Sequence, residues 1–161
     1  MMSDEDFIRE VEKSERTLYR VSKTMLRNDA DCCDAVQEAL TKAWAHRHSV
    51  KTEYFRTWLV RILINECHNI GRKLAKAPTI EEMTDRPVPA KEDTGLMEAM
   101  EKLKEPWRIV LILHYLEGFT LAEIARMTHV PLSTAKYRIV RARRALRLEM
   151  KGQNEKGGAA G

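Results

Sequence analysis

The stretch "FTLAEIARMTHVPLSTAKYRIVRARRAL", residues 119–146, constrains the fold most because it specifies two helices joined by a very short turn. Thr120 and Glu123 have the spacing of a capping box, which predicts a helix over residues 121–127. The turn "THVP" follows, and a long second helix begins after it. A short amphipathic helix, a tight turn and a second helix together predict a helix-turn-helix.

The second helix of this pair has an apolar face and a basic face. At about 100° per residue, one narrow arc of this helix holds Leu132, Ala135, Ile139, Ala142 and Leu146. We expect this arc to pack on the preceding helices. The outward face holds Ser133, Thr134, Tyr137, Arg141 and Arg144, with Lys136 and Arg138 near its margins. In a helix-turn-helix the second helix enters the DNA major groove, where arginine suits the acceptors of guanine. The pattern therefore predicts DNA binding rather than a merely solvated surface.

The rest of the chain predicts an all-α protein of two small helical domains. Before the last ten residues the only glycines are Gly71, Gly95 and Gly118, and alternation of Val, Ile and Thr is almost absent, which favours helices over sheet. We predict domains over residues 1–75 and 96–151. A flexible linker at 76–95 holds three of the five prolines, and a disordered tail is predicted at 152–161.

Three helices are predicted in the first domain. The second begins near Asp29 or Asp31 and is acidic in its first half, with an apolar stripe of Cys33, Val36, Leu40, Ala43 and Trp44. The third has an apolar stripe of Phe55, Trp58, Leu59, Ile62, Leu63 and Ile70. On its opposite face lie the polar residues Arg61, Asn65, His68 and Arg72. Their spacings of four, three and four residues place them along one side of the helix.

Several classes of function are disfavoured by the sequence. No apolar run is long enough for a membrane span and the start "MMSDEDF" is acidic, so we expect a cytoplasmic protein with reduced cysteines and no membrane insertion. His46, His48, Cys67 and His68 lack metal-ligand spacing, and we expect neither a metal nor a cofactor. No nucleophile elbow, phosphate loop or paired-carboxylate motif is present, which disfavours an enzyme.

Two blocks of the sequence resemble a known family. "LKEPWRIVLILHYLEGFTLAEIARMTHVPLSTAKYRIVRARRAL" resembles the fourth conserved region of bacterial RNA polymerase sigma factors, especially the extracytoplasmic-function (ECF) group. "DADCCDAVQEALTKAWAH" and "FRTWLVRILINECHNIGRK" resemble the second region of that family. The resemblance implies a protein that binds core RNA polymerase and directs it to promoter DNA, and it leaves room for an anti-sigma factor as a further partner.

The resemblance also implies roles for particular residues. The acids of the second helix would dock on the clamp helices of the polymerase largest subunit, at positions Asp31, Asp34, Gln37 and Glu38. The −10 element would be read by the loop 46–53 and the helix after it, with candidate residues His48, Lys51, Arg61, Asn65, His68, Asn69 and Arg72. The −35 element would be read by Ser133, Thr134, Lys136, Tyr137, Arg138 and Arg141, and we add Arg144 from the same outward face.

Three departures from the family pattern leave the promoter sequence open. His129 occupies a turn position where the family usually has glycine, Tyr137 a position commonly Ser or Thr, and Asn69 a position commonly Asp. Two rival interpretations remain at this point: a stand-alone helix-turn-helix regulator acting as a homodimer, and an adaptor for another transcription protein. The sequence gives neither the regulon nor the inducing signal.

Overall fold

The computed structural model describes residues 2–76 and 95–159, with side chains over 2–75 and 95–152. Helices form every regular element there, and no strand occurs within those ranges. The helices are α1 (Asp4–Met25), α2 (Asp29–Ala45), α3 (Phe55–Lys76), α4 (Leu96–Glu101), α5 (Glu105–Leu111), α6 (Leu121–Met127) and α7 (Leu132–Ala159). The predicted all-α fold is confirmed. Most of the predicted linker, residues 77–94, lies outside the described residues.

The chain divides into two compact units. The first contains α1–α3, and the second contains α4, α5, α7 and α6 up to Ala125. Side chains that accept from free backbone N–H groups begin the first two helices. Ser3 Oγ accepts from the backbone N–H of Asp6 at 3.1 Å, and Asn28 Oδ1 accepts from those of Ala30 and Asp31 at 2.7 and 3.3 Å. Acidic residues in both first turns add a favourable interaction with the helix dipole.

Aromatic rings and small residues form the core of the first unit. The ring of Phe7 packs edge-on against Trp44 and Phe55, with centroids 5.2 and 5.4 Å apart. On α2 the fully buried residues are small, namely Cys32, Ala35, Ala39 and Ala43. Small side chains let α2 approach α1 and α3 closely, because dense packing leaves no room for larger ones.

The predicted stripe of α2 is therefore wrong in part. Cys33 is exposed and its neighbour Cys32 is buried, while Val36 and Leu40 lie half-buried at the edges of the contact. Trp44 is 39% exposed. The prediction followed the most hydrophobic side chains of the helix. In the structure, α2 packs against two helices through the adjacent face, which carries the alanines.

In the second unit, helix boundaries agree with the turn chemistry of the sequence. After α5 the chain continues as a π-helical turn over Ile112–Leu116, and Gly118 then adopts a left-handed φ of 77°. The predicted capping box of α6 is confirmed. Thr120 Oγ1 accepts from the backbone N–H of Glu123 at 3.1 Å, and Glu123 Oε1 accepts from that of Thr120 at 3.0 Å.

The turn between α6 and α7 contains His129 in a left-handed conformation, with φ 57°. The backbone N–H of Val130 donates to Ala125 O at 3.0 Å and that of His129 to Arg126 O at 3.4 Å. These two bonds form a Schellman motif with histidine at the position that glycine usually takes. Histidine reaches this conformation at some conformational cost, more readily than most residues other than glycine.

The apolar arc of α7 is confirmed at its centre and differs at both ends. Ala135, Ile139 and Ala142 are buried, whereas Leu132, in the first turn, is 41% exposed and Leu146 is half-buried. The helix continues to Ala159, so residues 152–159 are helical where the sequence predicted a disordered tail. Extending an existing helix needs no new nucleation, and this lowers the cost of the extra turns. Residues 160–161 lie outside the described part.

Candidate nucleic-acid interface

The outward face of α7 presents the residues expected to read DNA. Ser133, Lys136, Tyr137, Arg141 and Arg144 are exposed, and Thr134 and Arg138 are half-buried at the margins. The opposite side of the helix carries the buried arc of small and apolar residues. A helix held on one side and bearing exposed cations and hydroxyls on the other has the character of a groove-reading element.

Two residues of this face contact each other. Arg141 Nε donates to the Tyr137 hydroxyl at 2.9 Å, and the guanidinium carbon lies 5.3 Å from the centre of the tyrosine ring. Because Tyr137 binds Nε, the terminal amino groups of Arg141 stay available for an external acceptor. In the sequence, only the i, i+4 spacing of the two residues indicates this pair.

The polar face of α3 forms the second candidate surface. All of its members are exposed, namely Arg61, Asn65, His68, Asn69 and Arg72. Arg72 donates from Nη2 to Asn69 Oδ1 at 2.8 Å. Asn69, which stands where the family commonly has Asp, therefore still orients the arginine one turn later.

A groove lies between this face and the loop that follows α2. The groove is lined by Lys42, His46, Ser49, Trp58, Ile62, Asn65, Glu66, Asn69 and Arg72. Trp58 and Ile62 are half-buried and supply apolar surface, and the amide, hydroxyl and imidazole groups supply donors and acceptors. Exposed His48 and Lys51 lie on the same loop. Apolar surface next to polar edges suits an unstacked base of single-stranded nucleic acid.

An ion pair that the sequence analysis missed joins α2 to α3 beside this groove. Lys42 Nζ donates to Glu66 Oε1, whose side chain is only 8% exposed while that of Lys42 is 48% exposed. Glu66 lies between Ile62 and Ile70 at spacings of four residues, on the apolar stripe of α3. An acid at a stripe position signals a buried carboxylate that needs a cationic partner.

The acids expected to dock on polymerase form a separate surface on α2. Asp34, Gln37 and Glu38 are exposed and Asp31 is half-buried. A second groove joins this surface to the last turns of α3, since its lining includes Asp31, Asp34 and Glu38 together with Asn69 and Arg72. The acidic surface and the polar face of α3 are therefore neighbours within the first unit.

Three groups with raised pKa values should make the free energy of unfolding of the first unit fall as the pH rises in the alkaline range. The hydrogen bond to Asp29 raises the pKa of Lys23, and the hydrogen bond to Glu66 raises the pKa of Lys42. Burial raises the pKa of the Cys32 thiol. In each case the folded state holds its proton more tightly than the unfolded chain does.

We expect this stabilisation to be complete below the unfolded pKa values, about 8.5 for cysteine and about 10.4 for lysine, and to be lost as the pH rises through the folded values. Thermal unfolding followed by circular dichroism from neutral to strongly alkaline pH should give a falling Tm. In Cys32→Ala the earlier part of that fall should become smaller. A Tm that is constant or rises over this range would contradict the assignment.

Two further properties concern metals and membranes. Among residues whose side chains are described, no group of three or more His, Cys, Asp or Glu is arranged to hold a metal ion. Over the described helices, none combines the length and the apolar character that a membrane crossing requires.

Comparison with known proteins identifies the family. Residues 11–77 match the family described as Sigma-70 region 2, and residues 94–146 match Sigma-70, region 4. The RNA polymerase sigma factor SigV of Bacillus subtilis is 30% identical over 138 residues, which cover 82% of this chain and 83% of SigV. The chain is an RNA polymerase sigma factor. The ECF sigma factor SigW of the same organism is 28% identical over 155 residues, covering 83% of each chain.

The sigma factor belongs to the ECF group, as the resemblance predicted. It therefore binds core RNA polymerase and directs promoter recognition at transcription initiation. A solved structure of similar fold is the sigma factor RpoE in complex with the anti-sigma factor NepR from Bartonella quintana. That structure has a TM-score of 0.77, 26% sequence identity and coverage of 91% of this chain and 97% of RpoE.

Proposed function

We propose that this sigma factor divides its task among three surfaces, which bind the polymerase, the −10 element and the −35 element. We assign the −10 element to the groove between α3 and the loop after α2. Its apolar surface is Trp58 and Ile62, and polar groups of Asn65 and Asn69 lie beside them. An unstacked base in this groove would contact apolar surface on its face and hydrogen-bonding groups on its edge. Exposed His48, Lys51, Arg61, His68 and Arg72 would bind the backbone and neighbouring bases.

The −35 element is assigned to the outward face of α7. The exposed amino groups of Arg141 match the paired acceptors of guanine in the major groove. Ser133, Thr134, Lys136, Tyr137, Arg138 and Arg144 supply the other contacts to bases and phosphates. The first unit, with the groove proposed for the −10 element, favours this function over a stand-alone helix-turn-helix regulator, which would need a dimerisation element to span two half-sites.

Polymerase docking is assigned to the exposed acids of α2, with Asp31, Asp34, Gln37 and Glu38 contacting the clamp helices. The chain acts in this proposal as a non-catalytic factor in the cytoplasm, without a cofactor. An anti-sigma factor is the proposed regulatory partner, because the related RpoE was solved with one. Such a partner would have to cover at least one of the three surfaces.

A charge reversal tests the docking surface. Asp34→Lys is expected to lower the affinity for core polymerase at least about tenfold, because a lysine would face the partner surface that the acids match. Glu15→Lys makes the same change at an exposed position on α1 and should leave the affinity unchanged. Titration of labelled sigma factor with core enzyme measures both. Equal effects of the two variants would show that only net charge matters and would overturn the assignment.

A further inference from the structure

Arg47 lies in the loop between α2 and α3, where a cation would ordinarily be counted as a phosphate contact. The structure shows its guanidinium engaged on the protein itself. Nε donates to Asp4 Oδ1 at 2.9 Å, and Nη1 donates to the backbone carbonyl of Trp44 at 2.8 Å. The guanidinium carbon also lies 3.7 Å from the centre of the Trp44 ring. The side chain of Arg47 is only 20% exposed.

These contacts fix the loop to two rigid parts of the first unit. Asp4 is the first residue of α1, 43 positions away in sequence. Trp44 lies in the last turn of α2 and packs its ring edge-on with the buried Phe7. Because planar guanidinium can donate within its plane and stack on its face at once, one side chain restrains both the position and the tilt of the loop.

The restrained segment forms one wall of the groove assigned to the −10 element. His46 and Ser49, on either side of Arg47, both line that groove. Ser49 Oγ donates to His46 O at 2.6 Å, and Ser49 N–H donates to the same carbonyl at 3.0 Å, so the wall is a single tight turn. Moving Arg47 would move this turn relative to α3.

We propose that Arg47 is a positioning residue for promoter reading: held by Asp4 and Trp44, it sets the width of the groove that takes an unstacked −10 base. It does so without contacting DNA. This inference rests on the proposed −10 function of the groove. Preorganised walls discriminate between bases because a misplaced donor or acceptor loses most of its hydrogen-bond energy.

Arg47→Lys separates positioning from phosphate binding. Lysine keeps the charge but lacks the planar guanidinium group. We therefore expect the ratio of holoenzyme affinities for the selected −10 element and for its single-base variants to fall roughly tenfold. The salt dependence of promoter binding should stay unchanged, since no phosphate contact is lost. Retained preference in Arg47→Lys, or a uniform loss of affinity with a shallower salt dependence, would overturn the inference.

A second pair of variants distinguishes a loss of positioning from a general loss of stability. Asp4→Ala removes the acceptor that holds Arg47, whereas Asp6→Ala removes an acid from the same helical turn whose partner is Arg9 on α1 itself, at 3.4 Å. We expect Asp4→Ala to lower discrimination between −10 sequences while shifting the Tm no more than Asp6→Ala does. Asp6→Ala should leave that discrimination intact. Equal effects would overturn the inference. If wild-type holoenzyme itself shows no −10 preference, the proposed function of the groove fails instead.

Discussion

Phe55→Ala is expected to destabilise the first unit by about 3–5 kcal/mol, the range typical of deleting a buried aromatic ring. Phe55 is fully buried at the start of α3, and its ring lies 5.4 Å from that of Phe7 and 5.8 Å from that of Trp58. Removing it leaves a cavity between α1 and α3 that the surrounding helices cannot fill. Since small domains have a net stability of only about 5–15 kcal/mol, the loss would take a large share of the total.

Urea denaturation of the full chain measures this effect. In a Trp107→Phe background, the remaining tryptophans Trp44 and Trp58 both lie in the first unit, so their fluorescence reports on that unit. The matched control is Tyr54→Ala, which removes the neighbouring aromatic ring at a position that is 55% exposed. The control should shift the midpoint little. Similar midpoints for both variants would contradict the packing described for Phe55.

Arg141→Ala is expected to weaken promoter binding by about 1–3 kcal/mol and to relax the preference at one position of the −35 element. The reason is the geometry of the pair on α7, in which Tyr137 binds Nε and leaves the terminal amino groups for a base. Tyr137→Phe should cause a smaller loss of the same kind, because the arginine remains but is no longer held.

Arg143→Ala provides the control on the same helix. Arg143 is also exposed, but two residues correspond to about 200° of rotation, so it points away from the face that carries Arg141. Holoenzyme binding to the selected promoter and to single-base −35 variants gives the comparison. If Arg141→Ala lowers the affinity equally for all sequences, Arg141 contacts a phosphate and does not read a base.

Much of the second unit followed from local sequence signals. The capping box at Thr120 and Glu123, the left-handed Gly118 and the buried centre of α7 all depend on residues within one or two turns of each other. Local hydrogen bonds and helical spacing determine such features, and a single sequence contains both. The family resemblance predicted that His129 occupies a turn position where glycine is usual, and its left-handed φ of 57° agrees.

The features that the sequence did not reveal depend on contacts between distant segments. The buried face of α2 is decided by how closely α1 and α3 approach, and this favoured Cys32 over Cys33. The Lys42–Glu66 pair and the Arg47–Asp4 pair join residues 24 and 43 positions apart. Helical periodicity shows which residues share a face, but it does not show which residue of another helix that face will meet.

Run-off transcription with reconstituted holoenzyme tests the central claim most directly. Promoter sequences are first selected by binding to core RNA polymerase loaded with this chain, and transcription from the selected templates is then compared with that of core enzyme alone. We predict a transcript that starts at a fixed site and requires both the chain and the selected −35 and −10 elements. If the chain neither binds core enzyme nor supports a transcript from any selected template, the chain does not act as a sigma factor.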